Sequence, residues 1–161
     1  MGFLQPDVGH GGGHREVGLS GAPKAVTIHH LRHARAAVAA AAENGCAVCL
    51  LSAPNAAASA GAAWFAAVVD EARRENPAAS VTAILDCGDF AGYALGALRH
   101  GLTAIRYDGP AFSAVDALAA EYGATVTRDR PDALDLGSAA DDEAQAFALC
   151  RQWLADDAGP G

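Results

Sequence analysis

The chain has 161 residues, 52% hydrophobic and 19% charged, which describes a globular protein and excludes the disordered class. Nineteen acids against eleven bases leave a formal charge of -8, so the counterion release that drives binding to phosphate backbones is missing and no nucleic-acid or membrane partner is expected. Four cysteines in a chain of this size are too few to act as a disulfide framework and read as reduced thiols in a cytoplasm, while no apolar run reaches the ~18 residues of a spanning helix.

Residues 1–23 hold seven glycines and show no hydrophobic period, which predicts a flexible N-terminal arm before a single α/β domain over 24–161. "AVTIHH" (25–30) reads as a short strand. "LRHARAAVAAAAENG" follows as a helix closed by Gly45, and "CAVCLLS" (46–52) as a strand buried on both faces. After the turn "APN", Trp64, Phe65, Val68, Val69 and Ala72 fall on one helix face that ends at Asn76-Pro77. "VTAILD" (81–86), "LTAIRYD" (102–108) and "ATVTRD" (124–129) make three further strands, separated by "DFAGYALGALRHG" and "AFSAVDALAAEYG" as helices. A loop through Pro131 and Gly137 then leads to the closing helix "DDEAQAFALCRQWLADD".

Five strands alternating with five helices call for right-handed crossovers and a mostly parallel open sheet. The expected architecture is a three-layer α/β/α domain of the flavodoxin type, with strand order 2-1-3-4-5. Ligands in such sheets bind outside the carboxyl ends of the strands. Those ends carry His29, His30 and His33, then Ser52 and Asn55, then Asp86, Cys87 and Asp89, then Tyr107 and Asp108. The candidate ligand-binding residues are therefore His29, His30, Ser52, Asn55, Asp86, Cys87, Asp89 and Asp108. Asp86 and Asp108 stand out, because acids on neighbouring strand ends repel unless a cation, a ligand donor or a proton separates them. Ser59, Asp89 and Ser113 also suit the capping of the helices they precede.

The histidines match no tight ligand spacing, and Cys46 and Cys49 point to opposite faces of a strand, so neither a metal nor a cofactor is assigned. Cys87 is the one thiol expected at the functional edge, where flanking acids raise its pKa unless a histidine compensates. A P-loop, a dinucleotide-binding glycine pattern after a strand and a GxSxG elbow are all missing. Lys24 lies before the first strand, at the wrong edge for Schiff-base chemistry. Pro54 keeps Ala53 out of the helical region and Asn55 turns the chain, so "APN" reads first as a structural bend.

From residue 25 to about 120 the chain resembles the later part of a response-regulator receiver domain. "CAVCLLSAPNAAASAG" is similar to the strand and loop that bear the phosphorylated aspartate, "VTAILDCGD" to the next strand, and "ALGALRHGLTAIRYDGP" to the helix and strand that end in a Lys-Pro pair. The functional residues depart from the pattern. Ser52 stands at the phosphoacceptor position, Cys87 near the switch hydroxyl, Asp108 where the lysine belongs, and the N-terminal acidic pair has no counterpart. The resemblance thus implies a receiver-like shell without phosphotransfer, used for binding a protein partner or a second copy. Recurrent Gly88, Gly92 and Gly96 point the same way, since glycines in a helix cost propensity and favour close packing. The alternative is a small enzyme or metabolite-binding protein built on the strand-end His, Asp and Cys residues.

Overall fold

A computed structural model describes residues 21–139 and 141–156. Most of the expected arm, residues 1–20, lies outside the described residues. The elements are β1 (Ala25–Ile28), α1 (Leu31–Asn44), β2 (Val48–Ser52), α2 (Ala56–Ser59), α3 (Ala62–Glu75), β3 (Val81–Asp86), α4 (Ala91–Arg99), β4 (Ala104–Arg106), α5 (Phe112–Glu121), β5 (Thr125–Thr127), β6 (Ala133–Asp135) and α6 (Glu143–Ala155). α1 stops where its sequence says it must. Gly45 adopts the left-handed conformation at φ 65° and returns its N–H to the carbonyls of Ala41 and Ala42.

The fold is α/β with a parallel sheet, but the sheet has six strands in the order β5-β4-β3-β2-β1-β6, in place of five in the order 2-1-3-4-5. The added strand, "ALD", pairs with β1 in parallel over Ala25 to Thr27. Three residues inside a Pro- and Asp-rich connection are too short to show a period of two. The order differs because β1 to β5 step across the sheet in one direction, each beside its predecessor, and the alternation of strand and helix carries no information on that direction. β3 is where the sheet changes partners, pairing its first four residues with β2 and Leu85 and Asp86 with β4.

Small side chains build the core. Val26, Ile28, Leu50, Leu85 and Ile105 from the strands meet Ala34, Ala37, Val38 and Ala41 of α1, Phe65 and Ala72 of α3, Ala97 of α4, Ala119 of α5 and Cys150 of α6. The helices contact one another in the sequence α6, α1, α3, α4, α5. On alternate strand positions, Ala25, Cys49 and Leu51 form a second, smaller cluster with Ile84 and Ala133. No helix among the described residues is long and apolar enough to cross a membrane.

Two hydrogen bonds tie α6 to the start of β1. The Trp153 indole donates to the carbonyl of Ala25 at 3.0 Å, and Lys24 Nζ donates to the Trp153 carbonyl at 2.9 Å while lying 4.6 Å above the ring. The lone lysine therefore closes the C-terminal end of α6, where a cation meets the negative end of the helix dipole.

The loop after β4 depends on one glycine. A Cβ on Gly109 would lie 2.3 Å from Tyr107 Oη and 2.4 Å from the carbonyl oxygen of Asp89, and the latter is backbone that cannot swing aside. Gly109→Ala is expected to destabilise the protein by about 1–3 kcal/mol through overpacking. Urea denaturation measures it, and an unchanged midpoint contradicts the packing described.

Candidate functional site

The carboxyl ends of the strands carry two separate polar clusters. The first is built on Asp86, the last residue of β3, which is fully buried and paired in register with Arg106 of β4. One carboxylate oxygen accepts the Gly88 N–H at 2.9 Å and Arg106 at 3.3 Å, and the other accepts Arg130 at 2.5 Å. The backbone N–H of Asn55 also donates to this group. Arg130 reaches the carbonyl of Ser52 at 3.0 Å, and the Ser52 hydroxyl accepts the Asp86 N–H at 2.9 Å while donating to the carbonyl of Ala53 at 3.0 Å. Arg106 extends the network to Asp108 at 2.6 Å and to the carbonyl of Arg128 at 2.9 Å.

Arg106 is thus the cation that the two acids require. It stands between Asp86 and Asp108 and removes their repulsion without a metal or a ligand. Burial alone pushes the Asp86 carboxyl upward. The Gly88 N–H, Arg130, the Asn55 N–H and the charge of Arg106 outweigh it and hold the group below the usual carboxylate range. Cys87, next along the chain, is also buried, and burial followed by the charge of Asp86 pushes its thiol up to about 12. Its sulfur faces the carbonyl of Leu85. His29 and His30, the strand-end histidines that could have compensated, stand two strands away after β1.

The "APN" turn serves this cluster. Asn55 takes a left-handed conformation at φ 54°. Gly88 packs so closely against it that a Cβ there would stand 2.8 Å from Asn55 Oδ1. Asp89 is exposed and stays out of the network, and it does not cap α4, whose N-cap is Phe90 without a side-chain cap. Ser59 and Ser113 are not caps either, since Gly61 and Ala111 occupy those positions. Asp142 of α6 does cap, accepting the Gln145 N–H at 3.1 Å.

The second cluster joins the end of β1 to β6 and the start of α6. His29 Nε2 lies 2.6 Å from Asp135 Oδ1, an oxygen that also accepts the Gly137 N–H at 2.9 Å. Burial raises the Asp135 carboxyl, but the Gly137 N–H and His29 bring it below its ordinary value. The backbone N–H of His29 donates to Nδ1 of the buried His33 at 3.2 Å, and the His30 and His33 rings lie 3.7 Å apart. His30 Nε2 stands 3.2 Å from Asp141 Oδ1. A cavity of about 410 Å³ opens beside them, lined by His30, Leu31, Arg32, Arg35 and Asp141. Among the described residues no group of three or more His, Cys, Asp or Glu side chains is placed to hold a metal ion.

The structure therefore gathers Ser52, Asn55, Asp86 and Asp108 into one network, places His29 and His30 in another, and leaves Cys87 buried and Asp89 apart. Arg106, Arg130, Asp135 and Asp141 are the residues that sequence reasoning missed. Arg106 did carry a signal, a charge next to the buried Ile105 in a strand, which needs a partner on the opposite face. Arg130 and Asp135 sit in a connection whose path depends on the unseen β6, and Asp141 reads as the first residue of the closing helix. Comparison with protein-family models and with curated proteins finds no match for the chain.

Asp86→Asn leaves two partly buried guanidinium groups short of their counter-charge and is expected to cost about 3 kcal/mol, at the low end for a broken buried pair. Because the folded carboxyl titrates below its unfolded value of ~3.9, its contribution is complete above that pH and vanishes as pH falls through the lower folded value. Denaturation midpoints from pH 7 to pH 2 should show the gap between wild type and Asp86→Asn closing on the acid side. A gap independent of pH contradicts the ionised state of Asp86.

Proposed function

We propose that the protein is a non-catalytic α/β binding domain, a receiver-like shell whose strand ends hold its own chain together instead of performing phosphotransfer. The observation that carries this reading is the occupancy of Asp86. Its carboxylate already accepts two arginines and the Gly88 N–H, with the Asn55 N–H a further stabilising influence on its charge. Ser52, at the phosphoacceptor position, has its hydroxyl engaged on both sides. Cys87 is not a thiolate near neutral pH.

Incubation with acetyl phosphate and magnesium, read by intact mass, is expected to add no phosphoryl group. Iodoacetamide is expected to label Cys46, the half-buried thiol, in the native protein and to reach Cys49, Cys87 and Cys150 only after unfolding. A phosphorylated Ser52, or alkylation of native Cys87 ahead of Cys46, overturns the reading.

A second reading, a site for a small organic anion, is favoured by the cavity beside His30. Its basic lining is partly committed already: Arg35 holds Glu75 at 2.8 Å and Arg32 the carbonyl of Asp141 at 3.3 Å. A thermal-shift screen of small carboxylates and phosphates separates the two readings, since a true ligand at ~100 times its dissociation constant stabilises by about 2.7 kcal/mol. That shift should vanish in Arg32→Ala. No shift with any anion leaves this cavity without a role in the second reading.

A further inference from the structure

α1 opens without a side-chain cap from its N-cap residue, His30. The next turn supplies a substitute, because Nδ1 of His33 reaches back and accepts the backbone N–H of His29 at 3.2 Å. Glu or Gln reaches back from this helical position in a capping box, whereas an imidazole can do so in one protonation state only. A backbone N–H only donates, so the His33 ring must be neutral, with a lone pair on Nδ1 and its proton on Nε2. A second proton removes that lone pair. It also puts a cation at a position 2% exposed, at the positive end of a helix and with the His30 ring centroid 3.7 Å away.

The bond matters beyond α1, because His29 also holds β6. Its Nε2 meets Asp135 Oδ1 at 2.6 Å in the last residue of β6, and the same oxygen accepts the Gly137 N–H within the 3₁₀ turn Leu136–Ala139. β6 is an edge strand of three residues paired with β1. The other charged and titratable groups near this end of α1 are already engaged. Arg32 reaches the Asp141 carbonyl and His30 the Asp141 carboxylate, while Arg35 faces Glu71 and Glu75 of α3. α6 contributes Glu143 in its first turn and the buried Cys150, whose thiol burial pushes up to about 12; burial also raises the Cys49 thiol of β2. Glu43 and Arg151 pair at the far end of α1. Pairing of His29 with Asp135 and of His30 with Asp141 favours the closed arrangement, but the two carboxylates are 63% and 81% exposed, where ion pairs contribute little. The Asp135 carboxyl, which the Gly137 N–H and His29 hold below its ordinary value against burial, stays charged throughout the histidine range.

We propose that His33 is a proton-operated cap: neutral, it fixes the turn between β1 and α1 and so keeps β6 on the sheet; protonated, it lets go of the His29 N–H and releases β6. The released state takes up a proton that the closed state excludes. The closed state therefore loses ground as pH falls below the ~6.5 of a free histidine, by up to about tenfold per pH unit. The test is hydrogen exchange of the full chain from pH 8 to pH 5, read by mass spectrometry and referred to the intrinsic rate of each peptide. Residues 133–139 are expected to lose protection on that slope while residues 48–52 of β2 keep theirs. His33→Gln supplies an acceptor that does not titrate, so residues 133–139 should stay protected across the whole range. Nitrogen NMR of the wild-type His33 ring gives a second readout that needs no variant to fold: Nδ1 should carry no proton for as long as residues 133–139 are protected. Protection that does not fall in acid, an equal fall in His33→Gln, or a doubly protonated His33 ring in the protected state overturns the proposal.

Discussion

The architecture depends on how the chain returns from one edge of the sheet to the other. β5 and β6 are the two edge strands, and only residues 128–132 join them. A flat sheet would put six strands' edges about 24 Å apart, whereas six Cα steps reach about 21 Å at most. The sheet must therefore curl, and the link must be held where it passes the strand ends. Asp86 provides the hold. Its carboxylate takes Arg130 from the middle of the link, Arg130 takes the carbonyl that ends β2, and Arg106 of β4 takes the carbonyl of Arg128 where the link begins. One buried carboxylate joins the return path to three strands.

That arrangement reverses the usual expectation for the carboxyl rim of a parallel sheet. Polar side chains there are free to serve a ligand only when the backbone of the connections is satisfied without them. Here a short link crosses the rim, and the rim's own residues anchor it. Arg106 and Arg130 neutralise Asp86, the Ser52 hydroxyl accepts the N–H of Asp86, and the N–H of Asn55 becomes a donor to the carboxylate. A buried carboxylate supplied with two cations and two N–H donors is stable as an anion. It is correspondingly unsuited to gain and lose protons or a phosphoryl group during turnover.

Much of the local structure was legible in the residues. β3 spans "VTAILD" as read, α1 ends at Gly45, and the "APN" bend and the Asp86–Asp108 problem were recognisable from residue type and position. Strand order was not legible, because β-branched runs and helix formers state that a crossover exists and not which way it steps. β6 escaped for a related reason. Ala133, Leu134 and Asp135 take strand geometry from pairing with β1, a tertiary contact with no local period to announce it. Once β6 is missed, Asp135 reads as a loop residue and the partner of His29 goes unseen. The capping of α4 and α5 failed differently, since Phe90 and Ala111 hold the cap positions with no side-chain oxygen and leave Asp89 and Ser113 without that role.

The composition sets the outer face of α4 apart. A chain with 6% aromatic residues fills its interior with alanine, and Phe65 and Tyr107 are the only Phe, Tyr or Trp side chains among the largest fully buried ones of the described residues. Large rings are scarce where burial would reward them most. Phe90 and Tyr93 nevertheless stand exposed on the outside of α4, with the Phe90 ring against Gly92 and nothing among the described residues over Gly96. Helix propensity opposes both glycines, and the hydrophobic effect opposes both exposed rings.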